Sequence, residues 1–389
     1  MVWLRTWLAG WVACEDSPGE RMGRHDDGVG RAVRMALGAL CGLLIVLSGN
    51  LRDADDARAA ASPTAPGATG QEAAGQGAAG QAATGQATVG LGLYQPRFPD
   101  DLTAASDFAR RTGHGLAIVH WYALWGGWKG AFNPDDLRLA SASGAVPMIT
   151  WEPWDGTGPS PAWSLRAAIL SGAHDDYIDS WAQGLAAYGK PVLLRFAHEM
   201  ADQPRYPWAV GVNSNTAADY LAAWQHVRAI FARYPTSNVK WVWSPQMKGD
   251  APAAAYLSAF QSVYPGDDAV DWLALDVFNT GPGLESWGTP RWRSMSEVMG
   301  PAYAALTELT DRPILLAEVG SSENGGSKAD WITQALTSEL PRFPRVRALV
   351  WFDVTREHED AWTLSSSPSA FAAWIAAARQ PMFVGNWQP

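Results

Sequence analysis

From residue 89 onward the chain alternates short apolar runs with amphipathic stretches. The runs are Val89–Gln95, Leu116–Tyr122, Val146–Trp151, Val192–Phe196, Val239–Trp243, Val270–Val277, Ile314–Val319 and Val346–Phe352. Each is rich in branched and aromatic residues with little polar alternation, the pattern of a strand buried on both faces of a parallel sheet. Between the runs, apolar positions recur at helical spacing, as in Leu102–Arg111, Ala217–Arg233 and Lys328–Leu340. Asn215-Thr216 and Ser327 stand where N-caps would open two of these helices. Eight such units in succession predict an α/β chain closed into a single (β/α)8 barrel over residues 89–389. An open doubly wound sheet is the alternative, but no glycine-rich fingerprint follows the first run.

In a barrel of this kind chemistry gathers where the strands end. Those ends read His120-Trp121-Tyr122, Trp151-Glu152-Pro153-Trp154, Arg195-Phe196-Ala197-His198-Glu199, Trp243-Ser244-Pro245-Gln246, Asp276-Val277-Phe278-Asn279, Ala317-Glu318-Val319-Gly320 and Trp351-Phe352-Asp353. The pattern predicts one polar, tryptophan-lined mouth above an apolar stem.

The residues before 89 follow different rules. Arg24, Arg31 and Arg34 precede an apolar run from Met35 to Leu47, which is short for a spanning helix and suits a signal peptide or signal anchor. Ala59-Ala60-Ala61 fits a cleavage site by residue type, and Met22 or Met35 would make a more conventional start. Residues 1–61 are therefore expected to be a leader, with 35–47 as a possible membrane tether. Residues 62–88 repeat Gly-Gln every five positions, at Gly70-Gln71, Gly75-Gln76, Gly80-Gln81 and Gly85-Gln86. Such a stretch buries too little apolar surface to offset its ordering entropy, and it is expected to act as a flexible linker.

Composition narrows the function. The 389 residues carry a formal net charge of −10 without long acidic runs, which excludes a nucleic-acid partner that would need a basic face. The two cysteines, Cys14 and Cys41, both lie in the leader, so the main body holds no disulfide framework and no thiolate metal site. Tryptophan is abundant at 22 residues, and all but Trp3, Trp7 and Trp11 lie beyond residue 87. An indole needs a partner for its N–H when buried, and its flat apolar face suits the C–H face of a sugar ring. Trp121, Trp154, Trp208 and Trp351 are candidate stacking surfaces, with core packing as the competing role. Glu152, Asp155 and His120 are candidate ligands for sugar hydroxyls, with structural hydrogen bonds as their competing role. The polar run Asp353, Glu357, His358, Glu359 and Asp360 reads as a solvated loop.

Glu199 and Glu318 close the fourth and seventh strands, roughly across the mouth from each other. A single glutamate there is as readily a structural ion pair. Two of them in tryptophan-rich surroundings match the paired carboxyls of a glycosidase, which stand about 5–5.5 Å apart in a retaining enzyme. Such a pair must differ in protonation, and Arg195 and His198 are placed to set that difference.

The segment Arg195-Phe196-Ala197-His198-Glu199-Met200, followed by Tyr206-Pro207-Trp208, resembles the acid/base motif of glycoside hydrolase family 26. Pro313 to Ser321, with Glu318 at its centre, is similar to that family's nucleophile strand, and Tyr264 to Asp268 with Val270-Asp271-Trp272 and Asp276 is a further family-like stretch. The similarity covers residues 90–380. It implies a (β/α)8 barrel with Glu199 as acid/base and Glu318 as nucleophile. It also implies His198, Trp208 and Trp351 as contributors to the sugar site. Two departures stand out. The family commonly has Tyr where this chain has Phe278, which removes a hydroxyl expected to bond the nucleophile. It often has Asn-Gly where this chain has Ala201-Asp202.

The expected function is thus a retaining, endo-acting β-glycoside hydrolase acting on a β-linked polysaccharide such as β-1,4-mannan, with a lichenan-type β-glucan or a β-xylan as alternatives. A membrane-tethered exopolysaccharide-modifying enzyme is a second class. A non-catalytic carbohydrate-binding barrel, favoured by Phe278, is a third. The chain is expected to be exported or anchored facing outward, to act as a monomer, and to use no cofactor and no catalytic metal, because two carboxyls suffice for glycosidic cleavage.

Overall fold

A computed structural model describes residues 88–201, 204–245, 251–282, 291–355 and 362–389. The expected leader, the expected linker up to residue 87, the tether segment 35–47, Asp202, Gln246 and the run 357–360 lie outside the described residues.

The chain forms the expected (β/α)8, or TIM, barrel. Its strands are β1 (Val89–Tyr94), β2 (Ile118–Leu124), β3 (Val146–Glu152), β4 (Val192–Phe196), β5 (Val239–Trp243), β6 (Trp272–Asn279), β7 (Ile314–Ser321) and β8 (Val346–Phe352). The helices that follow them are α1 (Thr103–Thr112), α2 (Pro134–Ala142), α3 (Asp175–Tyr188), α4 (Ala217–Phe231), α5 (Ala253–Val263), α6 (Met295–Leu309), α7 (Lys328–Gln334) and α8 (Pro368–Ala378). All neighbouring strands pair in parallel, and β1 pairs with both β8 and β2, so the sheet closes on itself. Both faces are covered, which is why the runs lack polar alternation: one face fills the barrel and the other meets the helices.

Helix starts follow local chemistry. Thr216 caps α4 in a reciprocal box with Asp219, Ser294 does the same for α6 with Glu297, and Ser327 accepts from the Asp330 N–H at the head of α7. The single helix expected over 328–340 is instead α7 followed by a wider turn over Ala335–Glu339 and a tight turn over Leu340–Arg342. Pro341 brings no N–H to continue the ladder, and Glu339 turns its carboxylate to the Ser296 N–H at 2.6 Å.

The stem is filled by apolar side chains, among them Ile118, Met148, Leu193, Ala274, Ala317 and Val350. Its far end, opposite the mouth, is sealed by the C-terminal tail. A two-residue strand β9 (Phe383–Val384) pairs with Val89-Gly90, and the Trp387 ring that follows enters the stem against Trp272 at 5.3 Å. Gly90 makes room for it, since a Cβ there would lie 2.7 Å from the indole.

Trp387→Ala should therefore open the floor of the barrel and lower unfolding stability by about 3–5 kcal/mol, the usual cost of deleting a buried indole. Urea unfolding followed by far-UV circular dichroism checks this, and a midpoint equal to that of the parent would contradict the seal.

Candidate active site

At the mouth, alternation along each strand sends every second side chain inward. From β2 come His120 and Tyr122, from β3 Thr150 and Glu152, from β4 Arg195, and from β6 Asp276 and Phe278. Strict alternation along β7 would turn Glu318 outward, because Leu315 and Ala317 already face the stem. A register shift between β6 and β7 prevents this: Leu275 pairs with Leu316, but Asp276 pairs with Glu318. The extra residue is a bulge, and it turns Glu318 to the same side as Asp276.

Arg195 organises these groups. Its guanidinium is fully buried. One arm donates to Glu318 Oε1 at 2.6 Å, and the other donates to Asp276 Oδ2 and to Ser244 Oγ at 2.9 Å. Tyr122 donates its hydroxyl to the same Glu318 Oε1 at 2.5 Å. Burial alone would push the Glu318 carboxyl up. The Arg195 charge, the Tyr122 hydrogen bond and the direct Arg195 contact outweigh burial and hold it below the usual carboxylate range.

Glu199 experiences the opposite balance. Burial raises its carboxyl, Arg205 offsets part of this from 3.4 Å, and the Glu318 charge raises it further. The neighbouring Asp276 carboxyl is pushed well above its ordinary value by burial, which the Arg195 charge offsets in part. The backbone reaches this position through two non-glycine residues in the left-handed region, Ala197 (φ 43°) and Glu199 (φ 52°). Each is pinned by its N–H to the end of a neighbouring strand, Ala197 to Trp151 O at 3.1 Å and Glu199 to Ser244 O at 2.7 Å. Such conformations cost about 1–3 kcal/mol each and persist where the surroundings impose them.

A third buried carboxyl, Glu152, accepts from Trp154 Nε1 at 3.0 Å and is pushed up to about 7, mainly by burial. His198 lies 3.8 Å from it, but burial and the nearby guanidiniums drive His198 well below its ordinary value, so the two do not form an ion pair. His198 instead bonds Tyr206 Oη at 3.0 Å, and its carbonyl accepts from Trp208 Nε1 at 2.8 Å. Trp208 stacks on Tyr206 at 4.4 Å, and Trp154 meets both edge-on. His120, held neutral at about 3 chiefly by burial, bonds Thr150 Oγ1 at 2.7 Å beneath Tyr122.

The structure therefore brings Glu199, Glu318, Arg195, His198, Asp276, Glu152, His120, Trp154, Trp208 and Phe278 to one end of the barrel. It corrects two of the stacking candidates. Trp351 points into the helix layer, against Trp331 and Trp374, with its N–H on Trp362 O at 2.9 Å. Trp121 alternates with His120 and Tyr122 and is buried on that same outer side. Asp155 caps its own loop by accepting from Thr157 N and Oγ1. Asp353 likewise ties down the loop after β8 by accepting from Gln95, Thr363 and Leu364. The hydroxyl expected to be lost at Phe278 is supplied from β2 by Tyr122, so the Glu318 carboxylate keeps a phenolic donor. Phe278 packs against Phe352 and Trp362 and lies over Gly320, where a Cβ would approach its ring to 2.9 Å. Tyr122, Arg205 and Ser244 were missed as site residues. Tyr122 was legible from its two-residue spacing to His120, whereas Arg205 sits in a loop that carries no periodic signal. Among the described residues, no group of three or more His, Cys, Asp or Glu side chains is arranged to hold a metal ion.

Comparison with known proteins adds to this geometry. The model of glycosyl hydrolase family 26 matches residues 167–329, a span that includes both Glu199 and Glu318. Endoglucanase H of Acetivibrio thermocellus is 37% identical over 277 residues, covering 71% of this chain and 29% of that protein. Mannan endo-1,4-beta-mannosidase A and B of Caldalkalibacillus mannanilyticus is 29% identical over 200 residues, covering 49% of this chain and 34% of that protein. The chain thus spans about a third or less of the length of these relatives. Among solved structures, a modular endo-beta-1,4-mannanase from Cellulomonas fimi superposes with a TM-score of 0.58 at 19% identity, over 78% of this chain and 74% of that one. A family 26 beta-mannanase from Bacteroides ovatus gives 0.54 at 17% identity, over 77% and 90%. At these identities the two structures bear on the fold alone.

Replacing Arg195 by Met leaves Asp276 and Glu318 buried without their counter-charge, which should lower stability at neutral pH by about 3–5 kcal/mol. In that variant the folded carboxyls titrate above their unfolded values near about 4, so the deficit shrinks toward acid and grows as pH rises. Thermal melts across that range check it; a deficit independent of pH would show that Arg195 does not hold these charges.

Proposed function

The chain belongs to glycosyl hydrolase family 26, and on that premise we propose that the barrel mouth cleaves β-glycans with retention of configuration, Glu318 acting as nucleophile and Glu199 as acid/base. The observation that carries this reading is the convergence of Arg195 and Tyr122 on Glu318 Oε1. Two donors on one oxygen keep the carboxylate ionised and aimed, and leave Oε2 as the attacking atom.

The steps follow from the two environments. Glu199 gives its proton to the glycosidic oxygen as the bond to the anomeric carbon breaks, and Glu318 Oε2 forms an ester with that carbon. Esterification removes the Glu318 charge, which is one of the causes that raise the Glu199 carboxyl. Glu199 is therefore a weaker acid only while Glu318 is free, and in the ester state it gives up its proton more readily and settles as a carboxylate. It then takes a proton from water, whose oxygen attacks the anomeric carbon and releases Glu318. Asp276 holds Arg195 in place.

For the substrate, a β-linked glucan is the first reading, because similarity to the endoglucanase is both higher and longer than similarity to the mannosidase. β-1,4-Mannan is the second. A polymer of this size also favours export, in line with the basic and apolar residues of the leader.

Glu318→Ala should lower kcat on mixed-linkage glucan or mannan by on the order of 10⁴–10⁶ while far-UV circular dichroism stays unchanged; retained hydrolysis refutes the assignment. Glu199→Ala should lose about 10²–10⁴ on polysaccharide but much less on an aryl glycoside whose leaving group needs no proton; equal losses on both would remove Glu199 from the acid role. Tyr122→Phe withdraws a donor from a carboxylate that must be ionised to attack. The acidic limb of the kcat/KM profile should therefore move to higher pH, and an unmoved limb would count against the Tyr122 contact.

A further inference from the structure

Trp128 departs from the tryptophan pattern of the rest of the chain. Among the described residues the other indoles are buried or half-buried, yet Trp128 is 51% exposed. It stands at the tip of the turn that follows β2, on the end of the barrel where Tyr122 reaches Glu318. The turn is tightly built. Leu124 N–H donates to Trp128 O at 2.8 Å, Gly127 N–H to Leu124 O at 3.0 Å and Gly130 N–H to Gly127 O at 3.1 Å. Gly126 seats it on the next loop, where a Cβ would lie 2.8 Å from the Trp163 ring and 2.9 Å from Asp155. Lys129 adopts a left-handed backbone (φ 53°) and brings its ammonium to 5.6 Å from the Trp128 ring centroid. That ammonium is anchored by Asp100 at 2.7 Å, from the loop after β1, and by Asp136 at 3.0 Å, from α2.

A large apolar ring left in water contributes little to the core, and ordering the hydrogen-bonded turn that presents it costs entropy. Both make sense if the ring is a platform. From this we propose that Trp128 is a sugar-stacking subsite for a glycosyl unit of the same β-glycan chain, beyond the unit that is cleaved. The inference rests on the hydrolase reading given above. The C–H face of a pyranose can lie flat on the indole, and the turn that carries it is already hydrogen-bonded, so little backbone freedom is lost on binding. The Asp100 carboxylate, half-exposed beside it, can accept from the hydroxyls at the rim of the same sugar. A neutral hexose polymer satisfies both features.

The test compares two substrates of one linkage in the intact chain, a hexasaccharide and a 4-nitrophenyl disaccharide, with the parent, Trp128→Ala and Trp128→Phe. Productive turnover of the aryl disaccharide requires its aryl bond at the carboxyl pair, so the ratio of kcat/KM values isolates remote binding. Trp128→Ala should lower that ratio by about tenfold, equivalent to about 1.4 kcal/mol, and Trp128→Phe should restore most of it. An unchanged ratio, or one that Phe does not restore, overturns the subsite while leaving the hydrolase reading intact. Failure of the parent to turn over either substrate overturns the hydrolase reading, and the subsite with it.

Discussion

One fully buried guanidinium, that of Arg195, sets the electrostatics of the mouth. A charge without water is tolerable only when its donors meet acceptors of opposite sign, and Arg195 meets Asp276 and Glu318 at once. That arrangement ties β4 to β6 and β7 across the top of the barrel. It also sorts the acids. The carboxyl with two donors on one oxygen is held below its ordinary value, while Glu199, buried, facing the more distant Arg205 and a neighbouring negative charge, is raised above it. The difference in role between two chemically identical side chains is a difference in who stands next to them.

The backbone around Glu199 carries a second constraint. Two left-handed residues in a five-residue stretch are unfavourable on their own, and neither is glycine. Their N–H groups are spent on the carbonyl ends of β3 and β5, so the sheet itself dictates where the glutamate stands. A side chain presented in this way swings little, which suits a group that must give a proton to one oxygen and later take one from another.

Much of this was readable from residue types, and the failures have a common cause. Buried parallel strands announce themselves as apolar runs, so β4, β5 and β8 were delimited correctly from Val192–Phe196, Val239–Trp243 and Val346–Phe352. Caps at Thr216 and Ser327 were legible because an N-cap is a local device. The direction in which a strand-end residue points is not local. Trp351 looked like a mouth residue because it ends a strand, but parity sends it to the helices. Glu318 reaches the mouth only because a bulge breaks parity, and a bulge depends on the partner strand. The substitution at Phe278 read as a missing hydrogen bond. Only the folded barrel shows that Tyr122, from the opposite side of the closed sheet, donates in its place.

The Trp387 seal bears on how the barrel comes into being. The indole that fills the floor belongs to the last turn of the domain, while Gly90, which it covers, belongs to the first strand. A chain gathering its strands in order therefore carries a wet opening through every intermediate until those two extremities meet. Closing a contact of such long sequence separation is entropically expensive and slow. The finished cylinder is thus expected to lock late and in a single concerted event, with partly wound forms left exposed to aggregation and proteolysis until it does.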